Sequence, residues 1–186
     1  MKIKKRTVFA ILLLIAVIVS TGLASAQEVE EDQTPLVILG CALAISIAGI
    51  SSAIGLALAG SSAVAVTAEK PQLFGKLLVL QVLPMTQSVY GLLTAILLML
   101  GVGLLGGTPS ASLLQGMGAV WIGLIVGLTG TSAINQGMVA SSSISAVGRN
   151  PDVAARGIIF TVMTETIAIF GLLAAILLMV GLKFLG

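Results

Sequence analysis

Glu165 is the residue in this chain whose surroundings call for chemistry. It stands in Thr161-Val-Met-Thr-Glu-Thr-Ile-Ala-Ile-Phe-Gly171, inside an apolar run from Gly157 to Leu185. A carboxylate at that depth of a membrane segment costs a few kcal/mol and marks a functional site by default. The side chain is too short, and too far inside the run, to reach water by snorkelling. Polar groups that could serve it lie on two other apolar runs. Leu83, Thr86, Gln87 and Tyr90 fall at i, i+3, i+4 and i+7, so they share one helix face. Pro84 removes the backbone bond to Leu80 and disturbs the carbonyls beside it. Asn135 and Gln136 sit in Ser132-Ala-Ile-Asn-Gln-Gly137, and Thr164 and Thr166 flank Glu165. One carboxylate, two amide oxygens, a hydroxyl and a backbone carbonyl could form an oxygen cage with a single negative charge. Such a cage suits a hard monovalent cation such as Na+, because hard ions choose oxygen ligands. The Tyr90 hydroxyl could donate to Glu165 and hold it in place. The alternative is that these groups only satisfy one another. Low dielectric would then keep the carboxyl neutral, and the site would carry H+. The residues alone leave both ions open.

The elements that must bring these residues together are membrane spans. The chain has 186 residues, 58% hydrophobic and only 9% charged, which is no soluble composition. Four long apolar segments run from about Pro35 to Val66, Gln72 to Leu105, Ser112 to Val147 and Asp152 to Leu185. Each exceeds the ~20 residues that a bilayer requires. Short connections at 69–72, 106–110 and 149–152 make them two helical hairpins, at 35–105 and 112–186, with an outer loop at 106–111. Lys70, Lys76, Arg149 and Arg156 flank the first and third connections. The positive-inside rule puts those loops in the cytoplasm and both ends of the mature chain outside; Lys183 is a weak exception.

The hairpins are copies of each other at an offset of eighty residues. Tyr90-Gly-Leu-Leu-Thr-Ala-Ile-Leu-Leu-Met-Leu100 aligns with Phe170-Gly-Leu-Leu-Ala-Ala-Ile-Leu-Leu-Met-Val180, and Pro71 with Pro151, without a gap. The register pairs Glu165 with Met85, so one carboxylate serves two hairpins. The first and third spans are rich in small residues such as Gly40, Gly55, Gly123 and Gly137. They suit a crowded inner layer of a ring or tight bundle, though a lone four-helix bundle would also use them. Trp121 and Ser141 to Ser145 read as packing residues, and Gln81 as a helix-contact residue.

Met1-Lys-Ile-Lys-Lys-Arg6 is a basic stretch followed by an apolar one, and Leu23-Ala-Ser-Ala26 ends in small residues. Residues 1–26 read as a signal peptide cut after Ala26, in preference to an uncleaved first span, and 27–34 as a short acidic outer segment. Other chemistries find no foothold. Histidine is absent and Cys41 is the only cysteine, so a disulfide framework within the chain and an imidazole metal site are excluded. Basic residues are too scattered for nucleic acid. No phosphate-binding G-x-x-x-x-G-K-[ST] loop occurs.

Gln81-Val-Leu-Pro-Met-Thr-Gln-Ser-Val-Tyr-Gly91, Ile134-Asn-Gln-Gly137 and Met163-Thr-Glu-Thr-Ile-Ala-Ile169 together resemble the proteolipid ring subunits of V-type and archaeal A-type rotary ATPases, in their doubled-hairpin form. The resemblance covers the whole mature chain. It implies an all-α membrane fold of four spans as two tandem hairpins of the same orientation, assembled into a rotor ring. It implies a non-catalytic subunit without a cofactor, bound Na+ being cargo. Leu83 (by its carbonyl), Thr86, Gln87, Gln136 and Glu165 would hold the ion. Tyr90 would be tied to the glutamate, with Pro84 and Thr164 in support. It implies partners as well: identical copies, lipid, a membrane stator protein with an essential arginine, and central-stalk subunits at the cytoplasmic loops. The signal-like leader departs from many members. A small secondary transporter or channel is the competing reading, but such proteins often carry inverted repeats, whereas these run the same way.

Overall fold

Prolines set where the helices begin. Pro35, Pro71 and Pro151 each open a helical segment, where a missing N–H leaves no carbonyl unserved. The computed structural model describes residues 32–185. The expected leader at 1–26, and 27–31 of the segment after it, lie outside the described residues. Helix α1, Thr34–Glu69, is unbroken. A 3-10 turn at Pro71–Leu73 leads into α2, Phe74–Val82; a second at Leu83–Met85 separates it from α3, Thr86–Gly101. Helices α4, Leu113–Gly130, and α5, Ser132–Arg149, are joined at Thr131. The last pair is α6, Ala154–Met163, and α7, Thr166–Gly181, after a 3-10 turn at Pro151–Val153. These pieces make four segments long and apolar enough to cross a membrane: Thr34–Glu69, Pro71–Gly101, Leu113–Arg149 and Pro151–Gly181. The fold is the all-α, four-span arrangement expected from the sequence.

The first and third spans form the tightest contact. A Cβ on Gly123 would run into the Gly40 carbonyl, and one on Gly137 into the backbone of Gly55. Conversely, Gly40 faces the Ala119 carbonyl and Gly55 the Ala133 carbonyl. Contact positions rise together along both spans, so the two run parallel at nearly the offset of the repeat. This is tandem, not inverted, duplication. Small residues are what allow backbones to meet this closely. The second span seats on the first where Gly91 faces the Ala44 carbonyl, and the fourth on the third where Gly171 meets the Thr129 side chain.

Two apolar cores lie between the hairpins. Val37, Leu98, Ile122 and Met179 belong to one, and Leu77, Leu80, Ile144 and Val147 to the other. The second and fourth spans stop before the expected Leu105 and Leu185. In each, a residue with positive φ ends the helix: Gly103 (φ 73) and, eighty residues on, Lys183 (φ 59). The bonds Leu104 N to Met99 O and Phe184 N to Met179 O, both 2.9 Å, close the same Schellman turn twice. Ser112 then caps α4 in a reciprocal arrangement with Gln115. Trp121 departs from the packing expectation. It is 61% exposed on the outside of α4, because the small residues of that helix, not its one indole, make the contact with the first span.

Candidate functional site: a carboxylate at the end of a hydrogen-bond chain

The site forms where breaks in two spans meet a third span. Pro84 cannot donate to Leu80, and the helix tightens to a 3-10 turn at Leu83–Met85. That turn brings the Leu83 carbonyl toward Thr86, whose hydroxyl donates to it at 3.0 Å. The fourth span breaks at the equivalent place, with Thr164 and Glu165 between α6 and α7, yet it has no proline there. Threonines take over that role. Thr161 donates to Gly157 O, Thr164 to Thr161 O and Thr166 to Met163 O, at 2.7, 2.7 and 2.8 Å. Side-chain bonds back to preceding carbonyls bend helices. The Glu165 N–H accordingly reaches only three residues back, to Val162 O at 2.9 Å.

One continuous donor chain ends on Glu165. Thr86 Oγ1 donates to Gln87 Oε1 at 3.2 Å, and Gln87 Nε2 to Gln136 Oε1 at 2.7 Å. Gln136 Nε2 donates to Glu165 Oε2 at 3.4 Å, and Tyr90 Oη to Glu165 Oε1 at 2.6 Å. From Gln87 onward every bond points toward the carboxylate, so each donor polarises the next in the same sense; the single Thr86 proton is shared between Leu83 O and Gln87 Oε1. Gln87 and Gln136 are 0% exposed and Glu165 only 8%. A hydrogen bond to a charged group is worth roughly 1.5–3 kcal/mol, which offsets much of the cost of keeping a carboxylate away from water. Glu165 is thinly covered, however. Its neighbours Met163, Ile167 and Phe170 face outward from the chain, so the acid lies one side chain beneath the surface of the fourth span.

The structure brings together Leu83, Thr86, Gln87, Tyr90, Gln136 and Glu165, all expected from the sequence. Pro84 is buried beside them and shapes the turn. Thr164 does not reach the carboxylate; its hydroxyl is committed to Thr161 O and it acts on the helix path. Gln81 lies against Gly60 on the first span, away from the cage. Sequence reasoning missed the break at Thr164 and Glu165 and the part of Thr161 in it. The signal was present: three threonines around the acid, with Thr164 at the repeat position of Pro84. It also missed Ser52, whose hydroxyl accepts from Ser88 N at 3.1 Å and ties the first span to the second one turn past the proline.

In fold and site together, this is a multi-pass membrane protein built from two like hairpins around one buried acid. The family model described as the ATP synthase C-subunit matches it twice, at 39–98 and 120–178, once for each hairpin. The chain belongs to this ATP synthase C-subunit family. It is 44% identical over 150 residues to the A-type ATP synthase subunit K of Methanocaldococcus jannaschii, covering 81% of this chain and 66% of that protein. It therefore spans just under two thirds of that relative's length. It is 38% identical over 145 residues to the V-type sodium ATPase subunit K of Enterococcus hirae, covering 77% of this chain and 90% of that protein. A third relative, the 16 kDa proteolipid of the V-type proton ATPase of Nephrops norvegicus, is 28% identical over 142 residues, covering 76% and 87%.

Proposed function

We propose that this chain is the ion-carrying rotor subunit of a V/A-type ATPase or ATP synthase, with Glu165 as the ion carrier and Na+ as its cargo. The observation that carries this reading is the donor chain converging on Glu165. Leu83 O, Thr86 Oγ1 and Gln87 Oε1 follow one another at 3.0 and 3.2 Å, and the Gln87 and Gln136 amides carry the chain on to the Glu165 carboxylate through N–H bonds of 2.7 and 3.4 Å. A cation entering there meets one full negative charge and otherwise neutral oxygens, the set a hard monovalent ion requires. Tyr90 holds Oε1 of the carboxylate at 2.6 Å, and Oε2, which takes only the longer 3.4 Å bond from Gln136 Nε2, is the oxygen an ion would take over. With the charge neutralised, Glu165 can pass from a stator half-channel into lipid, where an exposed carboxylate would be costly. An arginine of the stator would displace the ion after nearly a full turn. The chain would supply ion binding and torque, while ATP chemistry stays on other subunits.

Identical copies in a ring supply the sites in sequence. The positive-inside rule favours the Lys70 and Arg149 loops at the cytoplasmic face, where central-stalk subunits would sit. The test is labelling of the complex in membranes with a hydrophobic carbodiimide. Glu165 should be labelled and Na+ should protect it. The response to each ion separates the two cargoes: labelling that responds to pH and never to Na+ gives H+ as the cargo. No labelling at Glu165 under any condition overturns the carrier role itself.

A further inference from the structure

Because the hairpins repeat at an offset of eighty residues, the contacts between them inside the chain have images on its outer flanks. Inside the chain, the two hairpins join along a seam at the end of the molecule bearing the Lys70 and Asn150 connections. Ser62 Oγ and Ser141 Oγ lie 2.7 Å apart across it. Lys70 Nζ donates to Gly148 O at 2.6 Å and Lys76 Nζ to Pro151 O at 3.2 Å. Leu77 and Leu80 of the first hairpin pack there with Ile144 and Val147 of the second.

Each hairpin also has a free flank. A groove of about 530 Å³ on the second hairpin is lined by Ser142, Ala146, Val153, Arg156 and Phe160, among others. Shifted by eighty residues, these are Ser62, Val66, Leu73, Lys76 and Leu80, which form the first hairpin's side of the internal seam. A groove of about 590 Å³ on the first hairpin is lined by Val64, Ala68, Pro71, Phe74 and Leu78, among others. Their images are Ile144, Gly148, Pro151, Ala154 and Ile158, which form the second hairpin's side of that seam. The free flanks are the two halves of a second seam that one chain cannot close. Lipid would fit the apolar parts, but Arg156 and the paired serines are costly against hydrocarbon. A flank and its complement on the same chain define a heterologous contact, which closes into a ring when its rotation divides a full turn.

We propose that the second hairpin of one copy seats on the first hairpin of the next in the geometry of the internal seam, with Ser142 beside Ser61 and Arg156 donating to the Pro71 carbonyl of the next copy. The proposal rests on the ring reading above and adds the residues of its seam. Ser142 takes the place of Ser62, and Ser61 that of Ser141. In the single chain both hydroxyls turn back to their own helices, on Met138 O and Leu58 O. Arg156 takes the place of Lys76, and Asn150 that of Lys70, with the Ala68 carbonyl as its acceptor. At the level of the ion site the second seam keeps only Thr166, at the position of Thr86, among the side chains of the cage. Met85, Leu56, Ile167 and Phe170 stand at the positions equivalent to Glu165, Gln136, Gln87 and Tyr90, so no second cage forms between copies.

Paired cysteines test this in the assembled complex, in membranes, with Cys41→Ala as background. Ser61→Cys with Ser142→Cys should give, on oxidation, a ladder of covalent multimers on a denaturing gel. Ser62→Cys with Ser141→Cys should cross-link at the mass of one chain only, and each single variant should give no ladder. Ala68→Cys with Asn150→Cys, bridged by a short bismaleimide, provides the ladder by a second pair if the serine variant does not assemble. An intact oligomer by native mass spectrometry in which neither pair yields a ladder overturns the seam and leaves the ring standing. Single chains by native mass spectrometry, before any substitution, overturn the ring and the seam together.

Discussion

At the scale of residues, one carboxylate dominates because Tyr90 and Gln136 donate to it and Gln87 donates to Gln136 behind them. Glu165→Gln keeps the shape and hydrogen-bonding capacity but removes the charge. It should abolish ion translocation in reconstituted vesicles and leave the oligomer intact by native mass spectrometry; a pumping variant would remove Glu165 as carrier. Tyr90→Phe deletes one bond to a charged group, worth roughly 1.5–3 kcal/mol. The Na+ concentration that half-protects Glu165 from carbodiimide should rise by about tenfold or more, since each tenfold is ~1.4 kcal/mol. An unchanged value would mean that the 2.6 Å contact orients nothing that matters to the ion. The cage residues were legible because their types are rare in apolar runs. Gln87, Gln136 and Glu165 have no other reason to be there. What could not be read was the division of labour among the threonines. Thr86 and Thr164 look alike in sequence, but only a folded backbone decides that one hydroxyl joins the cage and the other bends a helix.

At the scale of elements, the same architecture is reached twice by different means. Pro84 breaks the second span by removing a donor, and the threonines around Glu165 break the fourth by competing for carbonyls. The first was legible, since proline in a helix has few outcomes. The second was not, because back-bonding threonines are tolerated in many straight membrane helices. The helix ends differ in the same way. Gly103 takes positive φ without strain, whereas Lys183 does so against the crowding of its own Cβ. Lys183→Gly should therefore stabilise the assembled protein by about 0.5–1 kcal/mol, read as a rise in its thermal unfolding midpoint. A fall would mean that the lysine charge at the helix C-terminus outweighs the strain. Span number and approximate limits were legible from hydropathy. The last few residues of each span were not, because a Schellman turn keeps the apolar composition while ending the helix.

At the scale of the whole molecule, two like hairpins share one acid, with Met85 at the repeat position of Glu165. The parallel arrangement of the first and third spans was legible from the repeat. Their depth of contact was not, because it depends on which glycines face each other: Gly123 on Gly40 and Gly137 on Gly55. Radioactive Na+ bound to purified, assembled protein should saturate at one ion per chain. Two per chain would require a cage on the first hairpin, where Met85 offers no charge.

In the rotor proposed above, a methionine where the repeat would place a second acid, at position 85, would act as a gear ratio. In a rotor of given circumference, each full turn exchanges half as many charges as it would if every hairpin carried an acid. With the ATP turned over per revolution held constant, each ion would receive twice the work. Moving one charge through ~100 mV takes about 2.3 kcal/mol. Halving the charges per turn therefore doubles the potential against which such a rotor can still push, and doubles the potential it needs to make ATP when driven backwards. In the rotor proposed above, a methionine at this one position would set a low gear, suited to building steep ion gradients.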